Sequence, residues 1–241
     1  MRDPAPTVIH LKDYTPPAFL IATVDLDVDI RDAHTQVRAR LELSRNPKSV
    51  TPDAPLELDG DELELLSVAI DGRTLVATDY RLDGGKLCIT QVPAHFTLET
   101  VVRIHPETNT KLEGFYASKT GLFTQCEAEG FRRITYFLDR PDVMSSYSVT
   151  LRADKQSYPV LLSNGNLVEE GLLDEGRHFA KWVDPHKKPC YLFALVAGKL
   201  VAREQRIVAR NGQEHLLEVD VRPGDLDKTE RARNSLMASV A

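Results

Sequence analysis

From Val24 onward apolar and polar side chains alternate: Val24, Leu26, Val28 and Ile30 fall on one side of an extended chain, Asp25, Asp27 and Asp29 on the other. After RDAHTQ the alternation resumes, with Val37, Ala39, Leu41 and Leu43 against Arg38, Arg40 and Glu42. The spacing predicts an antiparallel pair that sets an aspartate row beside an arginine row on a solvated face, each cross-strand pair contributing about 0.2–1 kcal/mol. So regular a charge stripe reads as sheet surface rather than as a metal site.

FTLETVVRI, YSVTLRA, RHFAKWV and HLLEVDV are further strand-like runs, and turn signals punctuate the chain at Asp59-Gly60, Asp71-Gly72, Asp83-Gly84-Gly85, Asn164-Gly165 and Asn211-Gly212. CYLFALVAG, Cys190 to Gly198, is an unbroken apolar run suited to a strand covered on both faces. The pattern predicts an all-β chain, two packed antiparallel sheets or a saddle of them. The end differs. DLDKTERARNSLMASVA predicts a helix with Asp225 or Asp227 as N-cap and Leu236, Met237 and Val240 as its apolar stripe. With no glycine to close it, the helix is expected to lie at a domain boundary.

Composition narrows the class. The chain has 241 residues, 42% hydrophobic and 27% charged, enough for a substantial core in one large β domain or two small ones. Its 30 basic and 36 acidic side chains are interspersed for a net charge of −6, which argues against nucleic acid or an anionic membrane surface as the main partner. No run approaches the roughly 20 apolar residues of a membrane span, and the proline-rich start lacks the pattern of a signal peptide. Cys88, Cys126 and Cys190 lie far apart and are odd in number, which fits a reducing cytoplasm.

Candidate chemistry is sparse. The seven histidines are scattered, and none forms the pair four residues apart that sets two imidazoles on one helical face. Glu214-His215 reads as part of a hairpin, LDGGKL as a turn rather than a phosphate loop, and Trp182 as core. Cys126 has no histidine nearby in sequence and reads as a buried thiol.

One stretch stands apart: TQCEAEGFRRITYFLDRPD, Thr124 to Asp142. If Thr124 to Glu129 is extended, Gln125, Glu127 and Glu129 share a face and Cys126 faces the other way. Such a face could receive a cation with several donors, for which a primary ammonium with three N–H groups is suited. On local sequence alone the favoured reading is a solvated strand face with Arg132, Arg133 and Arg140 balancing the acids.

The same stretch, with YPVLLSNGNLVEEG, GRHFAKWVDPHKKPCYLFALVAGKL and YTPPAFLIATVDLDVDI, closely resembles the N-terminal domain of the bacterial aminopeptidase N family, zinc metallopeptidases of the gluzincin type. The resemblance runs from about Tyr14 to the C-terminus and is densest from Leu112 to Leu200. It implies a saddle-like antiparallel β-sandwich domain over residues 1–224, and over 225–241 the start of a linker helix leading into a catalytic domain outside this chain. It also implies that Glu127 binds the free α-ammonium of a peptide substrate and that Gln125 helps shape the first side-chain pocket. Glu129 has no such role in the family. Many relatives carry Asp-Glu-Pro where this chain has Asp139-Arg140-Pro141, so nothing transfers to Arg140. The family's His-Glu-x-x-His zinc helix and Gly-x-Met-Glu-Asn strand do not occur in the 241 residues. The resemblance therefore implies zinc in a full-length cytoplasmic aminopeptidase, with neither zinc nor peptidase activity in this chain by itself. The competing expectation is a stand-alone β-sandwich module that binds a cationic ligand or docks on a separate peptidase subunit.

Overall fold

The structure, a computed structural model, describes residues 10–240. The first nine residues of the proline-rich start, on which part of the signal-peptide reading rests, lie outside the described residues, as does Ala241. Seventeen strands follow in chain order. The first eight are β1 (Phe19–Ile30), β2 (Thr35–Arg45), β3 (Leu56–Asp59), β4 (Glu64–Ile70), β5 (Arg73–Thr74), β6 (Arg81–Asp83), β7 (Lys86–Ile89) and β8 (His95–Ile104). Then come β9 (Gly114–Ser118), β10 (Gly121–Gln125), β11 (Met144–Asp154), β12 (Val160–Ser163) and β13 (Asn166–Leu172). The last four are β14 (Arg177–Pro189), β15 (Leu195–Gly198), β16 (Val201–Val208) and β17 (Glu214–Val221), before a single α-helix, α1 (Glu230–Val240).

These strands form an eight-stranded sheet in the order β13-β14-β11-β1-β2-β8-β4-β5, a four-stranded sheet β12-β15-β10-β9, a three-stranded sheet β3-β7-β6 and the hairpin β16-β17. The all-β expectation holds. Pairing is antiparallel throughout these sheets except between β1 and β11, which run parallel. β1 and β2 pair antiparallel with the Asp and Arg rows on one face as expected, Val24 opposite Leu41, Asp25 opposite Arg40 and Asp27 opposite Arg38; a one-residue slip would turn the buried row out to solvent. The aspartates nevertheless find other partners. Arg152 on β11 grips Asp27 with both nitrogens at 2.9–3.0 Å, and Arg177 on β14 pairs with Asp29.

One expectation about the small four-stranded sheet needs correction. Cys190–Gly198 is not one strand: Cys190–Leu192 turns in a 3-10 helix closed by Phe193 N–H donating to the Cys190 carbonyl, and only Leu195–Gly198 extends. The Asn164 side chain holds this corner, donating to the Leu192 carbonyl and accepting from Ala194 N–H. Asp59-Gly60, one of the turn signals, carries the chain from the three-stranded sheet to the eight-stranded one, with Asp59 bridged to Phe137. At the C-terminus a 3-10 turn, Leu226–Thr229, precedes α1, and the Asp225 carboxylate takes Lys228 and Arg222 side chains instead of capping backbone N–H groups. Leu236, Met237 and Val240 are half-buried on α1, which packs against β17.

One continuous core of buried side chains joins the eight-, four- and three-stranded sheets. Residues 131–139 run through its centre: Thr135 meets Thr100 of β8 in a buried hydroxyl contact at 3.3 Å, Phe137 bridges β3, and Phe131 stacks edge-on against Phe137 and Phe193 at 4.8 and 5.1 Å.

Candidate functional site

The inner face of the small sheet, with Leu122, Leu161, Leu195 and Ala197, is buried in that core. Its outer row, Tyr116, Phe123, Val196 and Leu162, lines a groove of about 560 Å³ whose rim includes Asp220 and Asp225. Its walls include neither Gln125 nor Glu127.

β10 ends at Gln125. Its backbone pairs with β15 as far as Phe123, and the Thr124 hydroxyl takes over the next step, donating to the Leu195 carbonyl at 3.2 Å and accepting from Leu195 N–H at 2.8 Å. On the other edge Gln125 still pairs with Gly114 of β9. The predicted extension to Glu129 does not occur: residues 127–130 form a turn closed by Gly130 N–H donating to the Cys126 carbonyl at 2.8 Å. The turn packs closely at Gly130, where a Cβ would overlap the Gln125 carbonyl oxygen and lie 2.8 Å from Gly114 N. The Glu127–Ala128 peptide bond is cis.

The turn brings Gln125 and Glu127 together without an extended face. The Gln125 side-chain amide donates to the Glu127 carbonyl oxygen at 3.0 Å, so its N–H₂ end is directed into the turn and its oxygen is left as the free acceptor. Both side chains are exposed, while Cys126 between them is 2% exposed, as expected of an inert thiol. Burial pushes the Cys126 thiol up to about 12, with the nearby Asp139 charge adding to the effect.

Every other charge in the stretch is matched. Glu129 lies 3.3 Å from Arg132, and Arg132 donates to Asp139 at 2.9 Å. Arg133, nearly buried, pairs with Asp61 and with Glu62 at 2.8 Å, and Glu113 lies at 3.7 Å. Arg140 grips Asp142 with two nitrogens at 2.8–2.9 Å and donates to the Thr15 carbonyl, a purely structural use. The Glu127 carboxylate alone makes no hydrogen bond or ion pair among the described residues. The arrangement can hold a cation with several donors at an exposed acceptor pair mounted on a rigid base.

Sequence reasoning found this pair and the balancing arginines, but missed what lies beneath. Asp139 is buried, accepting from Arg132 N–H and Nε and from the Cys190 thiol. The signal was available in the apolar ITYFL before it, since an acid directly following a core segment needs buried partners. Among the described residues no group of three His, Cys, Asp or Glu side chains could hold a metal ion. The three cysteines are free.

A family model, the peptidase M1 N-terminal domain, matches residues 21–192. Aminopeptidase N of Caulobacter vibrioides is 47% identical over 240 residues, covering 100% of this chain and 27% of that protein. Aminopeptidase N of Escherichia coli is 44% identical over 235 residues, covering 98% of this chain and 26% of that protein. The chain thus spans about a quarter of the length of these curated relatives. Among solved structures, Legionella pneumophila aminopeptidase A in complex with aspartic acid superimposes with a TM-score of 0.90 at 34% identity, over 94% of this chain and 27% of that one. An M1 zinc metallopeptidase of Deinococcus radiodurans, at 15% identity, shares the fold with a TM-score of 0.72 over 91% of this chain and 52% of that one.

Proposed function

The chain belongs to the peptidase M1 N-terminal domain family, and from that premise we propose that it serves a zinc-dependent aminopeptidase that removes N-terminal amino acids from peptides in the cytoplasm. Its own part is to recognise the substrate's free amine. In this reading residues 1–224 are the antiparallel β domain, and 225–241 begin a linker helix toward a catalytic domain. Peptide catabolism is the process served. Zinc is implied by the relatives, but the described residues offer no set of ligands for it. The metal would be held by residues outside this chain, and the chain alone is expected to be inactive.

The observation that carries the reading is the unmatched Glu127 carboxylate, held at the tip of a fixed turn in a stretch where every other charge is paired. An α-ammonium and a carboxylate are both charged near neutral pH, and three N–H donors suit a carboxylate with an amide oxygen beside it. Anchoring the amine at a fixed place selects the first peptide bond, since only that bond then lies at a constant distance from the reacting groups. Gln125 completes the acceptor pair and borders the space for the first side chain.

In the full-length protein Glu127→Ala is expected to lose a charge-assisted contact of about 1.5–3 kcal/mol, equivalent to roughly 10- to 100-fold in kcat/KM on substrates with a free amine. Unchanged efficiency would sink the assignment.

A further inference from the structure

Asp139 is buried beside the chain that leaves the turn, bonded to Arg132 and to Cys190. Its side chain is 1% exposed. One carboxylate oxygen accepts from the main-chain N–H of Arg132 at 3.1 Å and from Arg132 Nε at 2.9 Å, and the other accepts from the Cys190 thiol at 3.0 Å. Arg132 in turn reaches back to Glu129 within the turn at 3.3 Å. The buried carboxylate therefore fixes the 3-10 helix Phe131–Arg133 where the chain leaves the turn, and Arg132 carries the restraint back to the residue two beyond Glu127. A buried carboxylate with three donors cannot shift without leaving a charge unpaired, so this base is stiff.

We propose that Asp139 is a positioning residue for Glu127: it touches no substrate, and it holds the turn so that the Glu127 carboxylate stands where an amine can be bound. The inference rests on the reading of Glu127 as the amine anchor, and the test separates the two. Kinetics on an L-alanyl anilide are measured in the full-length protein for Asp139→Asn, Glu127→Gln and the double variant, with thermal unfolding of each. Asn keeps the volume and removes the charge.

Asp139→Asn is expected to raise KM about fivefold to tenfold with kcat within about twofold, a misplacement effect on binding. The double variant is expected to match Glu127→Gln to within about twofold, because both changes act through one carboxylate. Multiplying effects in the double variant, an unchanged KM in folded Asp139→Asn, or a loss confined to kcat would each overturn the proposal while leaving the amine anchor standing. A silent Glu127→Gln would overturn both. If Asp139→Asn does not fold, Arg132→Gln, which keeps the main-chain N–H and removes the guanidinium, goes through the same cycle with the same expected and overturning results.

Discussion

Cys126 sits between the two polar side chains of the turn and turns inward, where burial, reinforced by Asp139, pushes its thiol up to about 12. At pH 8 about one such thiol in ten thousand is ionised, and only the thiolate is nucleophilic. Cys190 is shifted in the same direction by burial and by Asp139, while Cys88 is partly accessible. Alkylation of the native chain at pH 8 is therefore expected to label Cys88 first, with Cys126 and Cys190 reacting only on unfolding; peptide mapping after a timed exposure reads the order. At this scale residue type was a good guide to inertness and a poor guide to pairing. Glu127 and Glu129 look alike in sequence, yet Arg132 neutralises Glu129 and leaves Glu127 free. The path of the backbone decides this pairing, because a guanidinium on a long side chain takes the carboxylate that the turn brings within reach.

The turn presents the proposed amine-binding pair, and its geometry rests on Gly130. The backbone there is ordinary right-handed, φ −81°, so the requirement for glycine comes from crowding and not from dihedral strain. Gly130→Ala is expected to destabilise the chain by about 1–3 kcal/mol, the range for forcing atoms into a packed site. A lowered urea midpoint with an unchanged slope would show this, and an unchanged midpoint would mean that the Gly114 contact yields freely. Elements with one buried face were legible: the alternation from Val24 and from Val37 set both strands and the face each buries, because the side-chain period of two puts Leu26 and Ala39 on the same side as their apolar neighbours. Elements without such a face were not. Apolar continuity in Cys190–Gly198 suggested a strand, but the corner at Cys190–Leu192 is held by Asn164 and Asp139, distant in sequence. The end of β10 at Gln125 was hidden for the same reason, since it is set by Gly114 and Leu195 across the sheet.

For the whole molecule, two local ion pairs, Arg140–Asp142 and Lys188–Asp184, make stability depend on acid, and a Tyr14 hydrogen bond ties the first to a distant segment. Burial pulls the Asp142 and Asp184 carboxyls upward, but Arg140 and Tyr14 at the first, and Lys188 at the second, outweigh it and hold both below the usual range. A carboxyl depressed in the folded state contributes its full stabilisation above the unfolded value, about 3.9 for Asp, and loses it as pH falls through the folded value. Burial, with Glu204 nearby, pushes Glu218 and Asp220 up, so their protonation acts in the opposite sense. The urea midpoint is thus expected to fall below about pH 4, and Asp142→Asn, which unpins Tyr14 and frees Arg140, should flatten that fall; an identical acid profile would show that this pair contributes nothing. What the sequence by itself determined is the all-β class, the buried faces of β1 and β2 and the terminal helix, all carried by local periodicity, while a contiguous motif singled out Gln125 and Glu127 as the candidate acceptor pair. The tertiary structure alone decided that β11 runs parallel beside β1, that the aspartate row is met by Arg152 and Arg177, and that Asp139 underlies the turn. Each of these depends on which distant segments the core brings together, and that is settled by burying one continuous apolar surface from many strands at once.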